Sequence, residues 1–471
     1  MKRRLIAVLP LVGCLVLAAI LITLEARQNP RLSPIDEMQH IDYLYKSQDG
    51  HVVGFGELVG QDAMRETACR GIDYPVALPS CDAATYRPED FPEAGYDTAA
   101  IHPPTYYLLS GAVGTVLVNL GVVNSLVTGG RLAGILWVGA AMVLMWACLG
   151  EFGISRLTRS SLLITFVTAP VILYEAAIIN PDVTAATAGA AVLLSVLAWE
   201  RRRVPLIVPG LVAAAAILVK STHMLAVIAV LLYLATRWAQ QRWPRSPTSP
   251  GPSAEPTPLA APDAASPTMT SAAVATATTT AAATTEPSRS PMELIRAAVS
   301  MVVGMAVASL AVVGLQAAVK LIPSKDIPMN LRMRVDSFQT FRVANSVTWS
   351  PFLDPFVPHN LATNWVYAIY LIGTFGLPVL AATGGVLGES GSRTRALAVA
   401  SLATMALAGP LFMVIFYVTS EVYTDVPSRY SLSLVPLLLV AAAPVVDRPV
   451  VRQIAAVFAA VAALVALYNV I

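Results

Sequence analysis

The stretch HPPTYYLLSGAVGTVLVNL, residues 102–120, decides the fold, because whether it crosses a bilayer sets the direction of every apolar segment that follows. The chain around it has 471 residues, 56% of them hydrophobic and 13% charged, with several long uncharged runs. That balance is too apolar for a soluble globule and describes an all-α polytopic membrane protein. If 102–120 crosses, the basic groups Arg156 and Arg159, then Arg201, Arg202 and Arg203, fall outside, against the positive-inside rule. If it lies in the interface as an amphipathic juxtamembrane helix, with Tyr106 and Tyr107 at head-group level, both groups fall inside. The second reading is adopted.

Upstream, Lys2, Arg3 and Arg4 precede an apolar run at 5–24, long enough to span. A signal peptide opens in the same way, but its apolar core is about 7–15 residues and leads to a small-residue cleavage site. The run is therefore read as a retained first helix, 1–24. Residues 25–101 hold 14 of the 29 acidic residues against six basic ones. Their Pro, Gly and aromatic content suits an ordered external loop of short helices, which with the juxtamembrane stretch forms a unit at 25–128. Cys69 and Cys81 share this loop, and a place outside the cytoplasm favours a disulfide between them over two free thiols.

Downstream, helices two to six occupy 129–243, at about 132–149, 161–179, 183–199, 206–219 and 224–235. A Pro, Ser, Thr and Ala tract at 244–291 cannot bury enough apolar surface to offset its chain entropy, and reads as a disordered cytoplasmic loop. Helices seven to eleven occupy 292–471, at 294–321, 365–386, 396–419, 432–446 and 455–471, with an external loop at 323–361. About eleven spans result, and every short basic turn is then cytoplasmic.

This topology gathers Asp36, Glu37, His40, His102, Asp182, Lys220, His223 and Arg429 on the external face. A net charge of +2 gives no reason to expect nucleic acid. Cations at membrane edges often only snorkel, whereas carboxylates gain little from doing so, which singles out Asp36 and Glu37. His40, one turn beyond Asp36 on a helix, is placed to orient that carboxylate or bind a phosphate, or is a structural histidine. An external carboxylate facing a cation is what sugar transfer from a lipid phosphate requires. The base takes a proton from an acceptor hydroxyl and the cation stabilises the departing phosphate. Asp36 suits the base, and Arg429 or Lys220 the phosphate, Arg being the better bidentate partner. No P-loop, dinucleotide fingerprint, zinc helix or nucleophile elbow appears in a supporting context. A transporter or flippase would place ionisable residues near the bilayer midplane and repeat its halves; Glu175 and Gln316 lie within or near spans, but no clear repeat is seen. A non-catalytic cell-wall scaffold is the third reading.

The motifs resemble those of GT-C class integral membrane glycosyltransferases, polytopic enzymes that use polyprenyl-phosphate sugars, and the plan is similar to that of aminoarabinose and protein O-mannosyl transferases. The matching residues are PIDEMQH at 34–40, HPPTYY at 102–107, Asn180-Pro-Asp182, Lys220 at a hairpin tip, and Ser428-Arg429-Tyr430. The resemblance covers the first 240 residues well and the rest loosely. It implies an inverting transferase of the plasma membrane, acting on the extracytoplasmic side and moving a sugar to a cell-envelope glycan or glycolipid. It makes Asp36 or Glu37 the base or a metal ligand, and the motif favours Asp36 with Glu37 as its metal-binding or hydrogen-bonding neighbour. His40 joins the catalytic set; Arg429 holds the lipid phosphate beside Tyr430; His102, Asp182, Lys220 and His223 bind substrate. Adjacent acids are compatible with Mg²⁺ or Mn²⁺ without requiring it. The chain departs from the class in showing no large soluble C-terminal domain, so acceptor recognition is expected from the loops and cavity, and in carrying the 244–291 insertion.

Overall fold

Each apolar run among the described residues folds into a helix, because a backbone in lipid must satisfy its own hydrogen bonds. The computed structural model describes residues 2–243, 289–322, 376–387, 392–420 and 428–471. The chain opens with α1 (Lys2–Gln28) and an outer unit of α2 (Glu37–Gln48), α3 (Gln61–Arg70) and short 3-10 turns between 88 and 101. Next come α4 (Thr105–Asn119), α5 (Leu126–Glu151), α6 (Arg156–Val167), α7 (Pro170–Ala177), α8 (Ala185–Glu200), α9 (Ile207–Val219) and α10 (Met224–Arg242). The rest of the described bundle is α11 (Pro291–Val319), α12 (Leu377–Leu387), α13 (Ser392–Ser420), α14 (Val435–Val446) and α15 (Pro449–Val470).

Among the described residues eight helices are long and apolar enough to span, and α6 with α7, bent by 62°, makes a ninth. The bend falls where Pro170 opens α7, since proline cannot donate the backbone bond that would continue α6. α9 and α12 coincide with two further expected spans but are shorter, so helix length alone does not establish eleven crossings. The 323–361 loop and residues 365–375 of the eighth expected span lie outside the described residues, as does 244–291 apart from its last three. There Ser290 and Glu293 form a capping box that starts α11.

The direction of the bundle rests on Arg131, early in α5. Its guanidinium donates to the carbonyls of Asn29 at 2.5 Å and Arg31 at 2.8 Å, just past the end of α1, and makes a two-pronged pair with Glu37 at 2.8 Å on each prong. The end of α1 and the start of α5 therefore lie together, and α4 begins and ends on one side, as the juxtamembrane reading expects. With 15 residues, α4 would be only about 22 Å long. Gly114 of α4 meets Gly129 of α5 so closely that a Cβ on Gly129 would sit 2.7 Å from the Gly114 Cα. The expected position of the tyrosines is corrected: Tyr106 and Tyr107 point inward and are buried, Tyr107 stacking on Tyr43 at 4.1 Å, while Leu108, Leu109 and Val116 form the exposed side.

At the opposite end the basic turns converge. Glu151, closing α5, pairs with Arg201 and Arg203; Glu200, closing α8, pairs with Arg393 at 2.8 Å and Arg237 at 3.6 Å. Asp447, after α14, accepts from Ser155 and Thr158 at the start of α6. Opposite-signed partners let this collar of arginines sit together at one end of the bundle.

The outer unit is laced by the predicted Cys69–Cys81 disulfide and by isolated bridges between Leu32 and Ile72 and between Leu58 and Tyr96. The end of α11 docks on it: the N–H groups of Leu321 and Ile322 both donate to the Phe55 carbonyl, and a Cβ on Gly54 would strike the Val319 carbonyl at 1.9 Å.

Two outcomes follow from this arrangement. Single cysteines at Asp49 and Asn124 should react with a membrane-impermeant maleimide from one face and a cysteine at Arg202 from the other; labelling of Asn124→Cys from the Arg202 side would contradict the non-crossing α4. Glu37→Ala strands the Arg131 cation in the interior and should cost roughly 3–5 kcal/mol, seen as a clear fall in the detergent unfolding midpoint; an unchanged midpoint would remove the pair from the role given to it.

Candidate active site

Where α2 begins, two acids adjoin and the backbone sends them in opposite directions. Asp36 precedes the helix in the left-handed region, φ 52°, and its side chain makes no capping bond. That conformation costs an ordinary residue about 1–2 kcal/mol, although Asp and Asn tolerate it best. Glu37, the next residue, is fully buried and holds the turn in place. Besides Arg131, its carboxylate accepts from the N–H of Ser33 at 2.7 Å and of Ile179 at 3.0 Å. Each oxygen thus has two donors. Glu37 is an anchor joining α2 to α5 and to the end of α7, and its saturation does not fit the base or metal ligand expected of it.

The Asp36 carbonyl accepts the His40 N–H at 3.0 Å, but its carboxylate makes no hydrogen bond among the described residues and lines a cavity of about 410 Å³ together with Met38, Ile72, Tyr74, Val76, Pro92 and Glu93. Solvent reaches it through this opening although protein surrounds it elsewhere. Burial raises its carboxyl above the usual range, and the charges of Arg429 and then Lys220 partly offset the rise. Both cations therefore lie within electrostatic reach of Asp36.

Those cations form the other half of the site. Asp182, placed by a turn in which the Asn180 side chain accepts its N–H at 3.0 Å, receives Lys220 Nζ on one oxygen at 2.6 Å and Arg429 Nε on the other at 3.1 Å. All three side chains are buried. The start of α8, the α9–α10 hairpin tip and the lead into α14 are joined there, as the expected common face requires. The Tyr430 ring lies against both cations, 4.9 Å from Lys220 Nζ and 5.7 Å from Arg429 Cζ. Two buried cations are tolerable only beside an acid, so Asp182 acts as the brace that holds them, a different task from the substrate contact expected of it. Glu175 on α7 adds a second acid, 3.8 Å from Arg429.

The histidines divide. His40 is buried, with Nδ1 2.8 Å from the Tyr107 hydroxyl and its ring 5.6 Å from that of His102. Burial, then the charge of Lys220, pushes His40 down to about 3, so it is neutral at ordinary pH. His102 is likewise held well below its usual value, burial again leading, and its Nδ1 is buried without a hydrogen-bond partner. A buried, unsatisfied ring nitrogen near two cations is suited to meeting a ligand hydroxyl. His223 stands apart: Nδ1 donates to the Ala216 carbonyl at 2.9 Å and Nε2 meets the Thr184 hydroxyl at 3.3 Å. It staples the hairpin tip to α8, which leaves no ring atom for the substrate role expected of it.

The Asp36–Glu37 pair does not fit Mg²⁺ or Mn²⁺, because Glu37 offers no open lone pair; among the described residues no three His, Cys, Asp or Glu side chains converge as a metal set. Two important residues had not been singled out. Arg131, a lone cation in a Gly-rich apolar stretch, carried a signal, since such a charge needs a buried partner. Glu93 carried none, lying among many loop acids.

Against this geometry, residues 102–249 match the family described as dolichyl-phosphate-mannose-protein mannosyltransferase. The matched segment includes Asp182 and Lys220 and is just under a third of the chain. No curated protein matches the chain in sequence. Among solved structures, that of ArnT from Cupriavidus metallidurans bound to undecaprenyl phosphate aligns over 94% of this chain and 60% of that one, with 14% identity and a TM-score of 0.48. The chain thus spans less than two thirds of the length of that protein. The resemblance to GT-C class glycosyltransferases that the motifs imply is shown over 102–249, within a chain whose described elements are helices, eight of them long and apolar enough to span.

Proposed function

We propose that the protein is an inverting glycosyltransferase that moves a sugar from a polyprenyl-phosphate donor to a hydroxyl of a cell-envelope glycan or glycolipid, at the extracytoplasmic face of the plasma membrane. The observation that carries this reading is the position of Asp36, an unpartnered carboxylate that faces a cavity on one side and feels the Lys220–Arg429 cations on the other. The family match over 102–249 supports a transferase over a transporter. The disulfide supports an oxidising compartment for the outer unit, and the arginine collar at the far end supports a cytoplasmic location there.

In this mechanism the acceptor hydroxyl gives its proton to Asp36 as its oxygen bonds to the anomeric carbon. The bond from that carbon to the phosphate oxygen breaks, and the polyprenyl phosphate leaves against Lys220 and Arg429. A single displacement from the face opposite the phosphate inverts the anomeric centre. Asp182 positions the cations, Tyr430 packs against them, and His102 is available to a donor hydroxyl. Both histidines stay neutral, so neither competes with the cations for the phosphate.

The test is transfer from radiolabelled polyprenyl-phosphate sugars in membranes. Asp36→Asn should lower the rate by about 10²–10⁴-fold with membrane abundance unchanged; full activity in that variant would sink the assignment. Because a base works deprotonated and burial raises the Asp36 carboxyl, kcat/KM should be level at neutral pH and fall as pH drops through a value above that of an exposed Asp, about 3.9. A limb near 6.5 that survives in Asp36→Asn would point to a histidine instead. Arg429→Lys keeps the charge but loses the fork, and should raise donor KM roughly tenfold.

A further inference from the structure

We propose that the cavity in front of Asp36 is the acceptor subsite and takes an uncharged glycosyl unit, held between the Tyr74 ring and the Asp36 and Glu93 carboxylates. Calling it an acceptor site rests on the transferase reading; its affinity for a sugar does not.

Three distant segments build the cavity. Pairing of the Leu32 N–H with the Gly71 carbonyl at 2.9 Å, and of the Asp73 N–H with the Leu32 carbonyl at 2.8 Å, lays Ile72, Tyr74 and Val76 beside the Asp36 turn. The Cys69–Cys81 disulfide closes the loop that carries them. Glu93 sits in a turn whose end is fixed by the Val59 N–H on the Gly95 carbonyl at 2.8 Å. Glu93 and Ala94 are both left-handed, φ 59° and 49°. Of the four non-glycine residues with positive φ among those described, three, Asp36, Glu93 and Ala94, lie at or beside this cavity. Strain of this kind persists where the surroundings impose it and clusters at ligand sites.

The lining fits a sugar. Tyr74 is 64% exposed, offering an uncovered ring flanked by Ile72, Val76 and Pro92. A pyranose presents an apolar C–H face to such a surface and hydroxyl donors at its edge. Ionised carboxylates only accept, so they call for those donors. Burial and then the Asp36 charge raise the Glu93 carboxyl, which marks the two acids as neighbours. Among the described lining residues there is no Lys, Arg or His, so a phosphorylated or carboxylated ligand would meet the acids with no cation in the wall to pair with. The volume, about 410 Å³, lies within the usual range for small-ligand pockets.

The full chain in nanodiscs, probed by saturation-transfer-difference NMR with maltose, cellobiose and mannobiose, and with glucose 6-phosphate as the anionic control, tests this directly. At least one neutral disaccharide should give a signal and the phosphorylated sugar none. Tyr74→Ala, at an exposed position, and Glu93→Gln should each weaken that binding about tenfold. Silence from every disaccharide, or an undiminished signal in Tyr74→Ala, overturns the proposal. The readout needs no donor, so the two readings fail separately. Disaccharide binding without sugar transfer from any polyprenyl-phosphate donor would retain the site and remove the transferase. Transfer with an unaltered acceptor KM in Tyr74→Ala would do the reverse.

Discussion

The buried pair between Glu37 and Arg131 is the constraint on which the remainder of the site depends. Four donors on one carboxylate fix the start of α2 against α5, the exit of α1 and the end of α7. A buried ion pair is weak evidence for net stability, since desolvation of both groups offsets most of the attraction. What it supplies is position. With Glu37 held inward and the preceding residue left-handed, Asp36 is turned out towards the cavity, and the cost of that backbone is met by contacts it does not itself make.

The same economy governs the cations. Lys220 and Arg429 come from segments more than 200 residues apart and would repel each other in an apolar interior. Asp182 bridges them, and Glu175 and the Tyr430 ring lie against the group. A lipid phosphate arriving there would meet two cations already desolvated and aligned, so little reorganisation remains for the moment of reaction. Asp36 lines the outer cavity and feels the charge of both cations, and on the proposed reading this would separate a place for the leaving group from a place for the nucleophile.

How much of this was legible in the sequence differs from residue to residue. The apolar runs and the arginine turns were readable because lipid imposes length and charge rules on local sequence. The Cys69–Cys81 bridge was readable from compartment. The common face of Asp182, Lys220 and Arg429 followed from the parity of the spans. The roles within the site were not readable in this way. Nothing local separates Asp36 from Glu37; the distinction is made by Arg131, 94 residues beyond Glu37. Tyr106 and Tyr107 look interfacial in sequence, yet pack inward because Tyr43 and His40 face Tyr107 and Trp137 faces Tyr106. His223 looks like a ligand at a hairpin tip until both ring nitrogens are seen to be taken. The wall formed by Tyr74 and Glu93 depends on backbone pairing between 32 and 72 and between 58 and 96, which no motif announces.

The central claim is that Asp36 stands between a phosphate held by Lys220 and Arg429 and an acceptor entering from the cavity. The most direct measurement is a cryo-electron microscopy map of the Asp36→Asn protein in nanodiscs with a polyprenyl-phosphate sugar. Phosphate density is expected against Lys220 and Arg429, with the sugar turned towards residue 36. Phosphate density at the Glu200–Arg393 end, or in the bundle away from residue 36, would contradict it.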